Sequence, residues 1–446
     1  MPIKTFPVLV ALALTCSQTF SQSIFAEIPF DEHRITDFDA IAFGDSILFS
    51  YNEPAVSGPV QRSQWVRHQK VSGKISLSEP VAFIHSQGDQ FHYYSMRQMK
   101  DAIVIKAFAP AGNEKAAPVG EVSLREGIVM AAYTHHNLVL VIYERSNNAV
   151  SVYEIDGTKL LGEKKYSVPS DLRIWIRKEA DVEFIEQGSP HINTFKGYSR
   201  VKLIHENDDL YLTLDNHMKN ETLVLALRKD GRLDQSIFSI NSTDDFGSYI
   251  IDGKLFTTIM STKKFVMNVQ DLTTKELVAT NVIAKGTENF DITVRSAADK
   301  TVSTESFTRM MSVVAYGDPQ LTVSRDSGNY TIAWGSFIND KGAGGMAGAN
   351  PVAMLMTFAV STAIKQLSEA PGLSRQFFYS FDATNLSFAR PAAAKRTPRM
   401  KVDEYEMKLI ADGVKVKSKS YLPFKNGLLA IYSLPKERLV RMIAFE

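Results

Sequence analysis

Cysteine is nearly absent from this chain: 446 residues contain one, Cys16. That residue lies in an amino-terminal segment that reads as a removable leader, so the mature chain would carry none. Disulfides, thiol nucleophiles and thiolate metal sites are thereby excluded together. Net charge is equally scarce, with 50 basic residues against 49 acidic ones and a balance of +1. Without a global field, no nucleic-acid partner is expected, and a charged partner must be met by a local patch. The two apolar runs, residues 5–14 and 351–364, both fall short of the about 20 residues that span a bilayer. Missing too are a His-Glu-x-x-His pair, the acidic spacing of a calcium loop and a glycine loop for phosphate, so no metal or cofactor is expected.

What the chain does contain is enough for a large core, with 44% hydrophobic and 22% charged residues, near the average for folded proteins. Lys4 followed by the apolar run 5–14 has the form of a secretion signal. Small residues at Thr19 and Ser21 place cleavage before Gln22, making residues 1–21 the signal peptide; cleavage after Ala26 is the alternative. Cys16 as a lipid-attachment site is disfavoured by Ala13-Leu14-Thr15 before it. Secretion without disulfides suits a periplasm or cell surface.

A hairpin grammar then recurs seven times, its first apolar strand starting at Ile47, Ala102, Leu138, Leu210, Leu255, Tyr330 and Leu428. In the clearest copy, residues 138–143 (LVLVIY) precede the polar turn Arg145-Ser146-Asn147-Asn148. Residues 149–155 (AVSVYEI) follow it. Runs of β-branched and aromatic residues between turn formers are what a hairpin requires. The same grammar appears at 210–227 and 255–269. A strand also precedes several copies, at 40–43, 129–133, 201–204 and 249–251, and one further, innermost strand would complete a four-stranded antiparallel sheet per copy.

This strand pattern resembles the β-propeller class in general, over residues 28–446 as a single domain. The resemblance implies an all-β propeller with seven blades, six or eight also fitting the spacing, and a short helical insertion in one blade; two β-sandwiches are the alternative architecture. The Gly-His and Trp-Asp marks of WD repeats and the double glycine of kelch repeats are missing, so no named family follows.

One copy is interrupted between residues 337 and 376. Gly342-Ala343-Gly344-Gly345-Met346-Ala347-Gly348 precedes Asn350-Pro351, a plausible helix start, and the apolar run 351–364. The insertion, residues 339–373, offers Met354, Leu355, Met356, Phe358 and Val360 as an interaction surface, since methionine suits an adaptable apolar contact.

Candidate chemistry is thin. Phe43-Gly44-Asp45-Ser46-Ile47 resembles the nucleophile block of the GDSL/SGNH esterases, which would make Ser46 a nucleophile. The companion blocks do not line up: Asp89 and His92 are the one Asp-x-x-His pair, no histidine follows His217, and Gly44-Asp45-Ser46 sits where other copies have a turn. His135-His136 reads as a polar turn rather than a metal pair. Lys395, Arg396, Arg399 and Lys401 read as a solvated loop between blades, and Trp175, among the charges of residues 171–186, as a seal on an apolar layer. The expected function is a secreted or envelope-associated binding protein without catalytic residues, meeting another envelope protein or a membrane surface through the insertion. A propeller-type hydrolase or lyase acting on polysaccharide, peptide or ester, and a structural envelope lipoprotein, are the alternatives.

Overall fold

Short strands that are mostly buried, followed by outer strands that are mostly exposed, fix the architecture. The computed structural model describes residues 22–29, 38–53, 60–67, 70–71, 75–76, 83–87, 90–111, 115–134, 137–178, 181–186, 199–242, 244–261, 263–284, 293–295, 318–326, 329–337, 376–382, 385–386, 388–389, 398–425 and 427–445. Their strands form six sheets, dominated by antiparallel meanders.

The plainest sheet runs Ile128–Thr134, Leu138–Glu144, Ala149–Asp156, Lys159–Ser167 in spatial order. Leu138–Glu144 is buried almost throughout, whereas Lys159–Ser167 buries only Tyr166. Its three lysines and Glu163 keep an outer edge from pairing with another chain. The next meander, Val201–Glu206, Asp209–Asn216, Glu221–Leu227, Leu233–Ser239, carries Val182–Glu186 as an extra parallel strand against its first member. Asp245–Ile251, Lys254–Met260, Lys264–Asp271 and Leu277–Ala284 follow. Asp318–Asp326, Asn329–Phe337 and Gln376–Asp382 form the following sheet, with Thr293–Arg295 at its outer edge. Toward the amino end, Phe38–Phe43, Ser46–Glu53 and Val60–Arg67 share one nine-stranded sheet with Phe83–Gln87, Gln90–Gln98, Ala102–Ala111 and Lys115–Arg125, joined through the two-residue strand Ile75–Ser76.

The remaining sheet joins the two ends of the chain. Ser418–Phe424, Gly427–Leu434 and Leu439–Phe445 are completed by Gln22–Pro29, which pairs antiparallel with the last strand from Gln22↔Phe445 to Pro29↔Leu439. Sheets then neighbour one another in chain order: Ser418–Phe424 lies beside Phe38–Phe43, that strand beside Phe83–Gln87, Phe83–Gln87 beside Ile128–Thr134, Ile128–Thr134 beside Val182–Glu186, Asp209–Asn216 beside Asp245–Ile251, and Asp245–Ile251 beside Asp318–Asp326. Between the sheets lie apolar layers. One joins Met130, Val141 and Tyr143 to Leu203, Leu212 and Leu225; another joins Ile204, Tyr211 and Val224 to Ile250, Leu255 and Phe265. Four-stranded antiparallel sheets stacked face to face, with the first and last strands of the chain in one sheet, make this a β-propeller. Two sandwiches would not produce this sheet-by-sheet succession.

Four readings of the sequence are corrected. The fourth strand of each meander lies outermost, not innermost; its polar composition hides it from a search for apolar runs. Ala102–Ala111 is a third strand, because Gln90–Gln98 precedes it in the sheet. The parallel strand Val182–Glu186 is additional. The stretch around Arg399 and Lys401 is a helix, Pro398–Ala411, rather than a loop. Pro398 opens it, where a missing N–H costs nothing. Gly413 closes it with φ +68°, a region where side chains are strained. Val402, Tyr405 and Leu409 pack it onto Leu428, Tyr432 and Phe445 of the closing sheet.

Candidate functional site

Meander polarity sorts the loops onto two ends of the propeller. At one end, first turns of successive sheets touch. The Glu206 carboxylate accepts the Asp252 backbone N–H, and Asp252, at φ +53°, accepts from Tyr330 Oη at 2.7 Å and Arg325 Nη1 at 3.0 Å. A three-sheet chain of hydrogen bonds results. Burial pushes the Glu206 carboxyl above its ordinary value, against the opposing Asp252 and Gly253 N–H groups. Tyrosines make similar bridges elsewhere: Tyr94 Oη accepts the Gly157 N–H at 2.9 Å, and Tyr166 Oη donates to the Arg228 carbonyl at 2.8 Å.

The second turns therefore emerge at the opposite end. There His217 stacks on Phe246 of the next sheet, ring centroids 4.3 Å apart and 15° from parallel, with Nδ1 3.5 Å from Asp245 Oδ1. The hydrogen bond from His217 holds the Asp245 carboxyl below its usual range, burial opposing it. Nearby, Arg200 lies 5.8 Å over the Trp175 ring, and Lys219 Nζ meets Asp171 Oδ2 at 2.5 Å. Trp175, on the short helix Leu172–Trp175, also packs on the apolar layer beneath. It seals that layer, as the sequence suggests, and at the same time offers its ring to a guanidinium. From this end too the chain leaves Asn329–Phe337 at Phe337 and returns at Gln376. Gly335 pairs with Gln376, so residues 338–375 replace a hairpin turn.

Beneath the His217 end lies a polar layer. Lys202 Nζ donates to Asp215 Oδ2 at 2.8 Å, with both side chains at most 2% exposed. Asp215 also accepts the Ser248 N–H at 3.1 Å from the next sheet and the Thr222 hydroxyl at 2.9 Å. Desolvation works against its charge, and Lys202 with these donors holds its carboxyl below the usual range. A second buried acid, Glu144, is held at about 2: burial opposes ionisation, but hydrogen bonds from Lys165, Ser151 and Asn147 outweigh it.

Ser46 stands just after the two-residue turn Gly44-Asp45, with Gly44 at φ +56°. Its hydroxyl donates to Asp45 Oδ1 at 3.1 Å, and Arg67 Nε donates to Asp45 Oδ2 at 3.0 Å. This is a turn with an ion pair, as its place in the repeat suggests. His92 lies in Gln90–Gln98 beside Tyr94. Met354, Leu355, Met356, Phe358 and Val360, and with them His135, His136, Lys395 and Arg396, lie outside the described residues. Among the described residues no group of three His, Cys, Asp or Glu side chains is placed to hold a metal ion, and no helix is long and apolar enough to cross a membrane. His217 Nε2 is buried without a hydrogen-bond partner among the described residues, and its ring stacks on Phe246. The charge pair Lys202–Asp215 was invisible to sequence reasoning, since neither residue belongs to a motif.

No family model matches the chain, and no curated protein matches it. Among solved structures it is similar to the WD40 domain of Toxoplasma gondii coronin at 9% identity and TM-score 0.32, covering 95% of this chain and 87% of that one. It is similar to a subtype N10 neuraminidase-like protein of a little yellow-shouldered bat virus at 9% identity and TM-score 0.32, covering 71% and 95%. Kluyveromyces lactis Hsv2 follows at 8% identity and TM-score 0.31, covering 69% and 75%. The assignment to the β-propeller class rests on the sheets described above.

Proposed function

We propose that this protein is a secreted, envelope-associated β-propeller of seven blades that acts by binding, and that its partner, another envelope protein, is met through residues 339–373. One observation carries the reading. The strands flanking the insertion pair in register up to Gly335↔Gln376, so the excursion is grafted on an intact hairpin at the end of a rigid scaffold, the usual place for a binding loop. Division of the nine-stranded sheet at Ile75–Ser76 into two meanders supports the count of seven. Export is supported by the leader-like segment and by the closing strand, which begins at Gln22. Cleavage after Ala26 would instead cut through that strand, where Phe25 and Ala26 are buried, which favours a mature amino terminus at Gln22; mass spectrometry of the exported protein reads it directly.

Replacing residues 342–371 by a short glycine turn tests the binding reading. The variant retains the circular-dichroism spectrum and unfolding midpoint of the parent but is released from the envelope fraction. Global unfolding would make the segment part of the core, and unchanged envelope association would put the binding surface elsewhere. Retention of the parent on protein-free phosphatidylethanolamine/phosphatidylglycerol vesicles would replace the protein partner by a membrane surface.

A further inference from the structure

Register places side chains of two neighbouring sheets in three layers across their interface. On the 201–239 sheet, Lys202 lies opposite Thr213 and Asp215 opposite Thr222, and these four share one face because residues two apart along a strand point the same way. On the 245–284 sheet, Ser248 lies opposite Thr257, on the face shared by Phe246, Ile250, Leu255 and Ile259. The two faces meet: Asp215 accepts the Ser248 N–H, and His217 stacks on Phe246. Toward one end the interface is filled by Ile204, Tyr211, Ile250 and Leu255, and toward the other by Ile240, Phe246 and Ile259. The middle layer is polar and, apart from Lys202, made of small side chains.

Two features of this layer are unbalanced. The hydroxyl oxygens Thr213 Oγ1 and Thr257 Oγ1 are buried with no hydrogen-bond partner, in residues that are 0% exposed, while the Ser248 side chain faces Asp215. Lys202 brings three ammonium donors to the same layer, and among the described residues one is met, by Asp215. Orphaned buried hydroxyls are destabilising, and native interiors rarely leave them so. Serine and threonine side chains are also smaller than the Ile, Leu, Phe and Tyr of the flanking layers. An occupant must be neutral, since the Lys202–Asp215 pair already cancels and an added ion would leave a net charge in an apolar surround. It must be small, and it must both donate and accept.

We propose that the layer binds ordered water, bridging the Lys202 ammonium to the Thr213 and Thr257 hydroxyls and fixing one register between the two sheets. A bridging water makes two to four hydrogen bonds, and this set supplies one donor group and two hydroxyls that serve either way.

The test uses the full mature chain with Thr213→Val and Thr257→Val singly, and Thr213→Ser as the conservative control. Hydrated hydroxyls predict that each apolar replacement lowers the urea midpoint, with an unfolding constant raised about fivefold or more, while Thr213→Ser stays near the parent. A crystal structure of the parent at about 1.5 Å then shows water density within hydrogen-bond distance of Lys202 Nζ and at least one of the two hydroxyls. Unhydrated hydroxyls predict the opposite sign, since removing an unsatisfied polar atom stabilises. Raised or unchanged midpoints, a layer without such density, or an anomalous peak there in crystals grown with bromide would each overturn the proposal, the last by assigning the layer to an anion.

Discussion

Lys202 and Asp215 are the residues on which burial acts most severely. Each is at most 2% exposed as a side chain, and the lysine meets its charge at a single acceptor. Removing one partner strands the other in an apolar surround, which costs about 3 to 5 kcal/mol, whereas replacing both by apolar residues is often neutral. Lys202→Met and Asp215→Leu are therefore each strongly destabilising, and the double variant recovers most of the loss; urea unfolding of the four proteins measures this. The buried acids give opposite pH signatures. Glu144, held at about 2 against an ordinary 4.5, contributes stability that is full above the ordinary value and lost as pH falls toward 2. Glu206 is raised, so its proton is bound more tightly in the folded state, and stability is lost as pH rises from the ordinary carboxylate range through the raised value. Glu144→Gln lowers stability at neutral pH and flattens its decline in acid. Glu206→Gln removes the loss at rising pH while its amide oxygen still accepts the Asp252 N–H. Unfolding midpoints across a pH series separate the two.

At the scale of elements, the helix Pro398–Ala411 shows how a charged surface conceals a regular segment. Leu409, 5% exposed, packs on the closing sheet. Leu409→Ala creates a cavity costing about 2 to 5 kcal/mol, read as a lowered midpoint. Glu406 on the same helix accepts hydrogen bonds from Tyr421 and Tyr432 and pairs with Lys419 at 2.6 Å. Helical spacing of Val402, Tyr405 and Leu409, with Pro398 before and Gly413 after, was legible in the sequence; the nearby basic residues drew the reading to a loop. Second and third strands were legible because they are buried on both faces and read as unbroken apolar runs, as in residues 138–143 and 223–227. Outer strands were not, because Lys159–Ser167 and its equivalents bury one residue or two. Gln90–Gln98 escaped because its core contribution comes from Tyr93 and Tyr94, set among polar neighbours. The turn at Gly44-Asp45 was legible despite the esterase-like sequence, since Asp252-Gly253 occupies the same place in another sheet. The polar layer was illegible for a physical reason: burial of Lys202 and the Thr213 and Thr257 hydroxyls is imposed by the neighbouring sheet, not by the local chain.

At the scale of the whole molecule, stacked sheets need closure, or the first and last would each expose an apolar face. Here Gln22–Pro29 pairs with Leu439–Phe445, and Glu27 Oε1 meets Arg441 Nε at 2.7 Å across 414 residues of chain. Closure makes the scaffold rigid enough to carry a grafted segment, the premise of the binding function proposed for residues 339–373. Directly opposed residues of an antiparallel pair stand about 4.5 to 5.5 Å apart at Cα, within the span of a disulfide. Residues 22–446 contain no cysteine, which allows a clean test in a protein of those residues: Glu27→Cys with Arg441→Cys. Crosslinking so long a loop constrains the unfolded chain strongly. Closure predicts spontaneous oxidation to an intramolecular bond, a monomer of altered mobility without reductant, and an unfolding midpoint above that of the reduced form. Free thiols after oxidation, or disulfide-linked dimers in place of the crosslinked monomer, would contradict it.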